Sequence, residues 1–456
     1  MTGILLPLLM ILFACVVIWR AVDGFELASE YLGRNLSEGV RGGTINAISS
    51  SIPELLTTLI ALFVLRDEEG FGIGLGTTAG SALFNGLIIP AACILTVVGG
   101  VVAGRRITAV RVSAKVIWRD GLALLACEVA MIALISGTQL DWWQGLALVA
   151  IYLVYFAYMV LSMRRRPLGN AGAGEGAGSG ERGGREADPG HASSGGFDPP
   201  PARPSVSRGP IGHLIYWGSG GPLLDLPRWL VRPRHRQAMR EEGWNAWPLL
   251  LVATGVMAAA CWLLVQACEW LGSGDGNATI GSYRLFGIEF TGLGMPSMFV
   301  AVIFASMATS VPDTVISIRD ARDGDYDDAV ANALGSNLFD IGFALGLPIF
   351  AYTLMRGPIS VSPEAAALTG ELLLILLGVT LAAFLTYYIG PRGRTADGVA
   401  TIEMGRGTAA ILLSLYLTFG IYVIARSQDA SWAAAVADVL VGLWETFPRA
   451  GAGPPS

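Results

Sequence analysis

The sequence predicts an all-α polytopic membrane protein: ten transmembrane helices, arranged as two inverted five-helix repeats whose discontinuous helices line a central polar site. Three observations carry this. The chain of 456 residues is 53% apolar and only 14% charged, with a mean hydropathy of +0.56, a balance that suits solvation by lipid. Ten apolar segments long enough to span a bilayer fall five on each side of a polar linker. One unusual cluster also occurs twice: Ser50-Ser51-Ile52-Pro53-Glu54 returns 259 positions later (313 − 54) as Thr309-Ser310-Val311-Pro312-Asp313.

In order, spans are expected near 3–22, 43–65, 71–104, 118–137 and 143–163 in a first half, 1–163. The second half, 246–426, holds those near 246–270, 294–318, 327–356, 365–389 and 408–426. Segment 3–22 lacks the basic start and small-residue cleavage site of a signal peptide, so it reads as the first helix. Between the halves lies a linker, 164–245. Gly, Ala, Pro, Ser and Arg dominate 168–209 and predict disorder. From 210 to 243, aromatic and basic residues such as Trp217, Arg228, Trp229 and Arg232 suit a stretch lying on anionic lipid. The tail, 427–456, contains a moderately amphipathic stretch over 430–445 that is expected to rest on the outer leaflet.

Alternate loops are rich in base: Arg105, Arg106, Arg111, Lys115 and Arg119, then Arg164 to Arg166, then Arg392, Arg394 and Arg406. That bias places them and the linker in the cytoplasm, with both termini outside. An odd number of helices per half makes the halves enter the membrane in opposite senses. The Arg- and Ala-rich, Lys-poor composition points to a prokaryotic plasma membrane.

Each cluster is followed by another: Gly80-Ser81-Ala82-Leu83-Phe84-Asn85 and Gly335-Ser336-Asn337-Leu338-Phe339-Asp340. An ionised carboxylate at the bilayer centre costs about 2.5–3.5 kcal/mol on insertion scales, so Glu54, Asp313 and Asp340 need a compensating cation or proton. Pro53 and Pro312 each remove a backbone donor and free carbonyls near 47–50 and 306–309, which is tolerated where the break lines a polar cavity. With the hydroxyls of Ser50, Ser51, Ser81, Thr309, Ser310 and Ser336 and the amide of Asn85, every available ligand is oxygen. Such a set selects hard cations such as calcium and sodium over zinc or copper. Ser50 and Glu54, Thr309 and Asp313, Ser81 and Asn85, and Ser336 and Asp340 are each four apart, so where helical each pair shares a face.

This order of residues resembles the α-repeats of the sodium/calcium exchanger family, within the wider cation/calcium exchanger group. The resemblance covers two blocks near 44–90 and 303–348, each ending in Pro (Pro90, Pro348). It implies a secondary antiporter that expels calcium in exchange for sodium, with no cofactor and no enzyme chemistry. It further implies that Glu54 and Asp313, with carbonyls around Ser50 and Thr309, hold calcium. Ala47, Ser51, Ser81, Ser306, Ser310, Ser336 and Asp340 would then help to form flanking sodium sites. Asp313 stands where many members have Glu; together with Asp340 it looks more like the potassium-dependent branch, and potassium co-transport stays open. Ala82 stands where the other copy has Asn337. Glu54 to Asn85 covers 31 residues (85 − 54) against 27 for Asp313 to Asp340 (340 − 313), and the extra four are expected in an acidic loop near Arg66 to Gly70. The alternative is a proton-coupled or other-divalent exchanger of the same superfamily, but a proton needs only carboxylates, so the hydroxyls favour sodium.

The expected partners are inorganic cations and the lipid bilayer, with the chain acting as a monomer. A net charge of −6 offers nucleic acid no footing. The three histidines, His191, His213 and His235, all lie in the linker, which removes a histidine-dependent serine protease from the apolar segments. A membrane aspartyl protease would need Asp where Gly292-Leu293-Gly294-Met295 has Met. The five cysteines lie in apolar runs without metal-type spacing. Glu128 reads as a structural or cavity-edge carboxylate, Gly72-Ile73-Gly74-Leu75-Gly76 as close helix packing, and Asp323, Asp325, Asp327 and Asp328 as a solvated helix entrance.

Overall fold

The computed structural model describes residues 3–32, 46–102, 105–164, 216–241, 243–274, 281–394 and 398–446. Its first half contains α1 (Leu5–Leu32), α2 (Asn46–Ser50), α3 (Ile52–Leu65), α4 (Asp67–Val97), α5 (Ala114–Ile135) and α6 (Trp142–Arg164). The linker contributes α7 (Gly221–Leu224), α8 (Leu226–Leu230) and α9 (Pro233–Arg240). The second half contains α10 (Trp247–Gly272), α11 (Ser297–Thr309), α12 (Val311–Asp323), α13 (Tyr326–Arg356), α14 (Pro363–Ile389) and α15 (Arg406–Ser427), and α16 (Ser431–Thr446) follows.

Among the described residues, seven helices are long and apolar enough to cross a membrane, or eight if the pair α11 and α12, bent by 45°, is one span. Two expected spans are less simple. The segment near 43–65 is broken at Ser51 into α2 and α3, and its first residues lie outside the described ones. Helix α5 carries Lys115, Arg119, Asp120 and Glu128. Two of those charges neutralise each other, since Arg119 donates to the buried Asp120 at 2.5 and 2.8 Å, and Tyr155 adds a bond at 2.9 Å.

Helix α1 runs ten residues past its expected end because its last turn has a partner. Tyr31 meets Trp244 edge-on at 4.9 Å, and its hydroxyl accepts from the Trp244 N–H at 2.9 Å. The span expected to be disordered, 168–209, lies outside the described residues. The tail helix α16 does more than lie on lipid. Its Ala433 and Trp444 are buried, and Trp444 covers Gly370 so closely that a Cβ there would meet the indole at 2.2 Å. Trp432, Val436 and Val439 remain exposed on its other side.

The four extra residues of the first half form a helical turn instead of a loop. Helix α4 starts at Asp67, 18 residues before Asn85 (85 − 67), whereas α13 starts at Tyr326, 14 before Asp340 (340 − 326). Four residues make about one turn. The chain reverses through Arg66 and Asp67, both in the left-handed region at φ 67° and 39°.

Helix α4 packs backbone to backbone against α11. A Cβ on Gly76 would lie 2.4 Å from the Met298 carbonyl oxygen, and one on Gly80 would lie 2.2 Å from that of Val302. Small residues allow this close approach, which supplies much of the packing energy between helices in lipid. Two strand pairs tie the halves together: Val110–Ser113 with Ala400–Met404, and Gln139–Leu140 with Ile359–Ser360, all antiparallel.

Gly80→Ala is expected to destabilise the fold by about 1–3 kcal/mol through overpacking, while Gly255→Ala, where nothing lies within 4 Å of the added carbon, should be neutral. Thermal unfolding of the purified chain in detergent tests both, and equal midpoints would contradict the close contact.

Candidate functional site

Both clusters sit at breaks between helices. Ser51 links α2 to α3 with φ −96° and ψ 5°, and Ser310 links α11 to α12 with φ −81° and ψ 1°. Pro53 and Pro312 occupy the second position of the helix that follows, where a missing N–H costs little. Each proline also leaves the carbonyl four residues back without its usual donor. A π turn adjoins each of two residues expected at the site in the second half: Ala301–Ala305 immediately before Ser306, and Asp340–Ala344 starting at Asp340 itself. Such turns are common at functional sites because they re-aim side chains.

The centre is the Ser81 hydroxyl. Its oxygen lies 3.1 Å from Glu54 Oε1, 2.9 Å from Asp340 Oδ2 and 2.9 Å from Ser310 Oγ, and it accepts from Asn85 Nδ2 at 3.3 Å. Asp313 adjoins this group: Ser336 donates to its Oδ1 at 2.7 Å, and Asn85 Nδ2 to its Oδ2 at 3.4 Å. The hydroxyls of Ser50 and Thr309 face Asp313 and Glu54 respectively. Glu54, Asp313, Asp340, Ser50, Ser51, Ser81, Asn85, Thr309, Ser310 and Ser336 are all fully buried.

Hydrogens are too few for the oxygens. A hydroxyl has one hydrogen, so Ser81 can donate to Glu54 or to Asp340, never to both at once. Glu54 Oε2, Asn85 Oδ1 and Asp340 Oδ1 have no partner at hydrogen-bond distance among the described residues, and Ser51 adjoins Asp340. Buried oxygens left unpaired are costly, and hard cations satisfy such oxygens. The three carboxylates do not converge on one point: among the described residues no three His, Cys, Asp or Glu side chains do so. They are linked through Ser81 and Asn85, so the oxygens form a chain of adjoining positions.

Not every expected residue joins this chain. The Ser306 hydroxyl donates to the Val302 carbonyl at 2.7 Å within its own helix. Ala47 lies in α2, and its side chain is outside the described residues. Sequence reasoning missed Asn332 and Ser317. Asn332 adjoins Asp313, donates to Ser317 Oγ at 3.1 Å and keeps Oδ1 unpaired. Their spacing could have found them, since Ser317 follows Asp313 by four and Asn332 precedes Ser336 by four. Asn337, without an Asn opposite it, donates instead to the Ala82 carbonyl at 3.0 Å. Glu128 lies apart from the centre, where its Oε1 accepts from Thr380 at 2.8 Å.

The model of the sodium/calcium exchanger protein family matches residues 6–161 and 245–425, covering both clusters and their surrounding helices. The chain belongs to the sodium/calcium exchanger family. It is accordingly an integral membrane protein of an ion-transporter family. Among curated relatives, it is 37% identical to sodium/potassium/calcium exchanger 3 of Mus musculus over 125 residues, which is 27% of this chain but only 17% of that relative's length. It is 27% identical to human sodium/potassium/calcium exchanger 5 over 399 residues, covering 77% of this chain and 71% of the relative. Among solved structures, the H+/Ca2+ exchanger CAX matches 96% of this chain and 92% of its own at 10% identity and a TM-score of 0.49. The sodium-calcium exchanger NCX_Mj matches 91% and 98% at 17% identity and a TM-score of 0.45.

Ser81→Ala removes the hydrogen that two carboxylates compete for. It is expected to lower stability by about 1–3 kcal/mol in cation-free buffer, read as a drop in the thermal midpoint. A midpoint equal to that of the unsubstituted exchanger would remove Ser81 from the centre of the site.

Proposed function

We propose that this exchanger is a secondary antiporter that moves calcium outward in exchange for sodium moving inward. In this reading, ten transmembrane helices form two inverted five-helix repeats, with the linker in the cytoplasm and both termini outside. Glu54 and Asp313 coordinate calcium with carbonyls near Ser50 and Thr309. Ser51, Ser81, Ser310, Ser336 and Asp340, with Ala47 and Ser306 at the edges, supply the sodium positions. The observation that carries this is the surplus of unpaired buried oxygens strung along helix breaks, because such a chain can satisfy one divalent ion or several monovalent ions.

Competition for those oxygens is the coupling. A calcium ion that draws Glu54 and Asp313 to itself withdraws them from their hydroxyl bridges, and sodium ions spread along the chain restore a different arrangement of the same atoms. Neither set can be held at full charge balance while the other is present. Each ion therefore binds at the expense of the other.

A second reading adds potassium. Asp313 is shorter than Glu by one methylene and leaves a larger space beside Asn85 and Asn332, and the relatives at 37% and 27% identity carry potassium in their names.

Radiolabelled calcium uptake into proteoliposomes preloaded with sodium or choline tests the assignment. Uptake is expected only with the sodium gradient, and Glu54→Gln should reduce it to background. Uptake driven equally well by a proton gradient would replace sodium with protons as the coupling ion. For potassium, uptake should rise when it is supplied on the calcium side, and Asp313→Glu, by refilling the space, should make uptake indifferent to it. A potassium response unchanged in Asp313→Glu would sink that explanation.

A further inference from the structure

The folded end of the linker makes a surface that the exchange reaction does not use. Its apolar underside is occupied: Val231, Met239, Trp244 and Ala246 are buried against Leu27, Ala28 and Tyr31 of α1 and Leu249 of α10, and Leu226 covers Gly24 of α1. Polar contacts hold it in place. Arg20 of α1, only 8% exposed, donates to the Ser219 hydroxyl and to the Tyr216 carbonyl at 3.4 Å, with its guanidinium over the Tyr216 ring at 5.2 Å. The Tyr216 hydroxyl donates to Asp225 at 3.2 Å and accepts from Arg228 at 3.4 Å.

The outer side is unusual for a surface facing only water. Trp217, Leu223 and Trp229 are 67%, 79% and 61% exposed, and Trp247 at the start of the membrane-length helix α10 is 56% exposed. Arg228, Arg232 and Arg234, within five residues of Trp229 in the sequence, are also exposed. Residues 216–241 hold five arginines against the acids Asp225 and Glu241. Exposed tryptophan beside arginine, fixed to the ends of two membrane helices, matches the headgroup layer in both polarity and charge.

We propose that this face is a binding site for an anionic phospholipid, with Arg228, Arg232 and Arg234 on the headgroup phosphate and Trp217, Leu223 and Trp229 in the acyl boundary. The inference rests on the placement of α1 and α10 in a bilayer and not on which ions are carried. Occupancy bears on the cation site because α1 reaches it: Ser29 Oγ lies 3.0 Å from Ser49 Oγ, next to Ser50. A lipid that braces the linker against α1 therefore braces a neighbour of the first helix break.

The test is binding of a fluorescent phosphatidylglycerol to the full chain in neutral detergent. Unlabelled phosphatidylglycerol should displace it, phosphatidylcholine should not, and added salt should weaken binding. Each arginine changed to glutamine should cost roughly fivefold in affinity, so R228Q/R232Q/R234Q should lose about two orders of magnitude, with W217A/W229A weaker than the unsubstituted chain at unchanged charge. Equal displacement by phosphatidylcholine, salt-independent binding, or full affinity in the triple variant would overturn the site. Displacement by soluble glycerol phosphate at the same concentration as the lipid would make it a phosphate site instead. Failure of calcium exchange in every lipid would count against the antiporter reading and leave this binding result standing.

Discussion

The architecture depends on a shortage of hydrogens. Glu54, Asp313 and Asp340 are fully buried within the protein, and the hydroxyl nearest two of them can donate once. A fold that placed these carboxylates among ample donors would be more comfortable and less useful, because its oxygens would already be satisfied. Here the deficit is distributed over Glu54, Asn85 and Asp340. The packing of glycines in α4 against α11 brings the two halves close enough for one serine to serve both, since Ser81 lies one residue from Gly80, whose absent side chain makes room for Val302.

The helix breaks are the second half of the same design. A continuous helix would consume its own carbonyls and aim its side chains by a fixed rotation. Interruption at Ser51 and Ser310, each followed by a proline that tolerates an N-terminal position, loosens both restrictions at equivalent points of the two halves. The π turn at Asp340 adds one residue to a helical turn and swings the carboxylate towards Ser81. The first half has Asn85 at this place, within an unbroken α-helix, so the halves are related but not interchangeable.

Much of this was legible in the residues themselves. Carboxylates, hydroxyls and prolines stand out in apolar segments, and a spacing of four assigns them to common faces, which is why Glu54, Asp313, Asp340, Ser81 and Ser336 could be grouped before any coordinates. Asn332 and Ser317 were hidden because they flank the acidic stretch that holds Asp320, Asp327 and Asp328, where a polar residue carries no surprise. The π turns left no mark in Ala301–Ala305 or Asp340–Ala344, because they depend on packing against neighbours remote in sequence. The extra turn of α4 resembled a loop because Arg66 to Glu69 are charged; Tyr352, Ser297 and the Ser362 N–H take up Asp67, Glu69 and Glu68 and keep that turn helical.

The short strands have a mechanical meaning. Arg111 of the first half pairs with Glu403 of the second through both backbone and side chain, at 2.9 Å for the ion pair. Leu140 and Ile359 pair across the other junction. The halves are thus stitched at two seams, one before α5 and one after it, like a hinge plate screwed down at both edges. Swinging one complete half away from the other would tear both seams. Helices α1 and α10, which pack along each other, belong to neither seam; α1 is held instead by side-chain bonds to the linker and to Ser49.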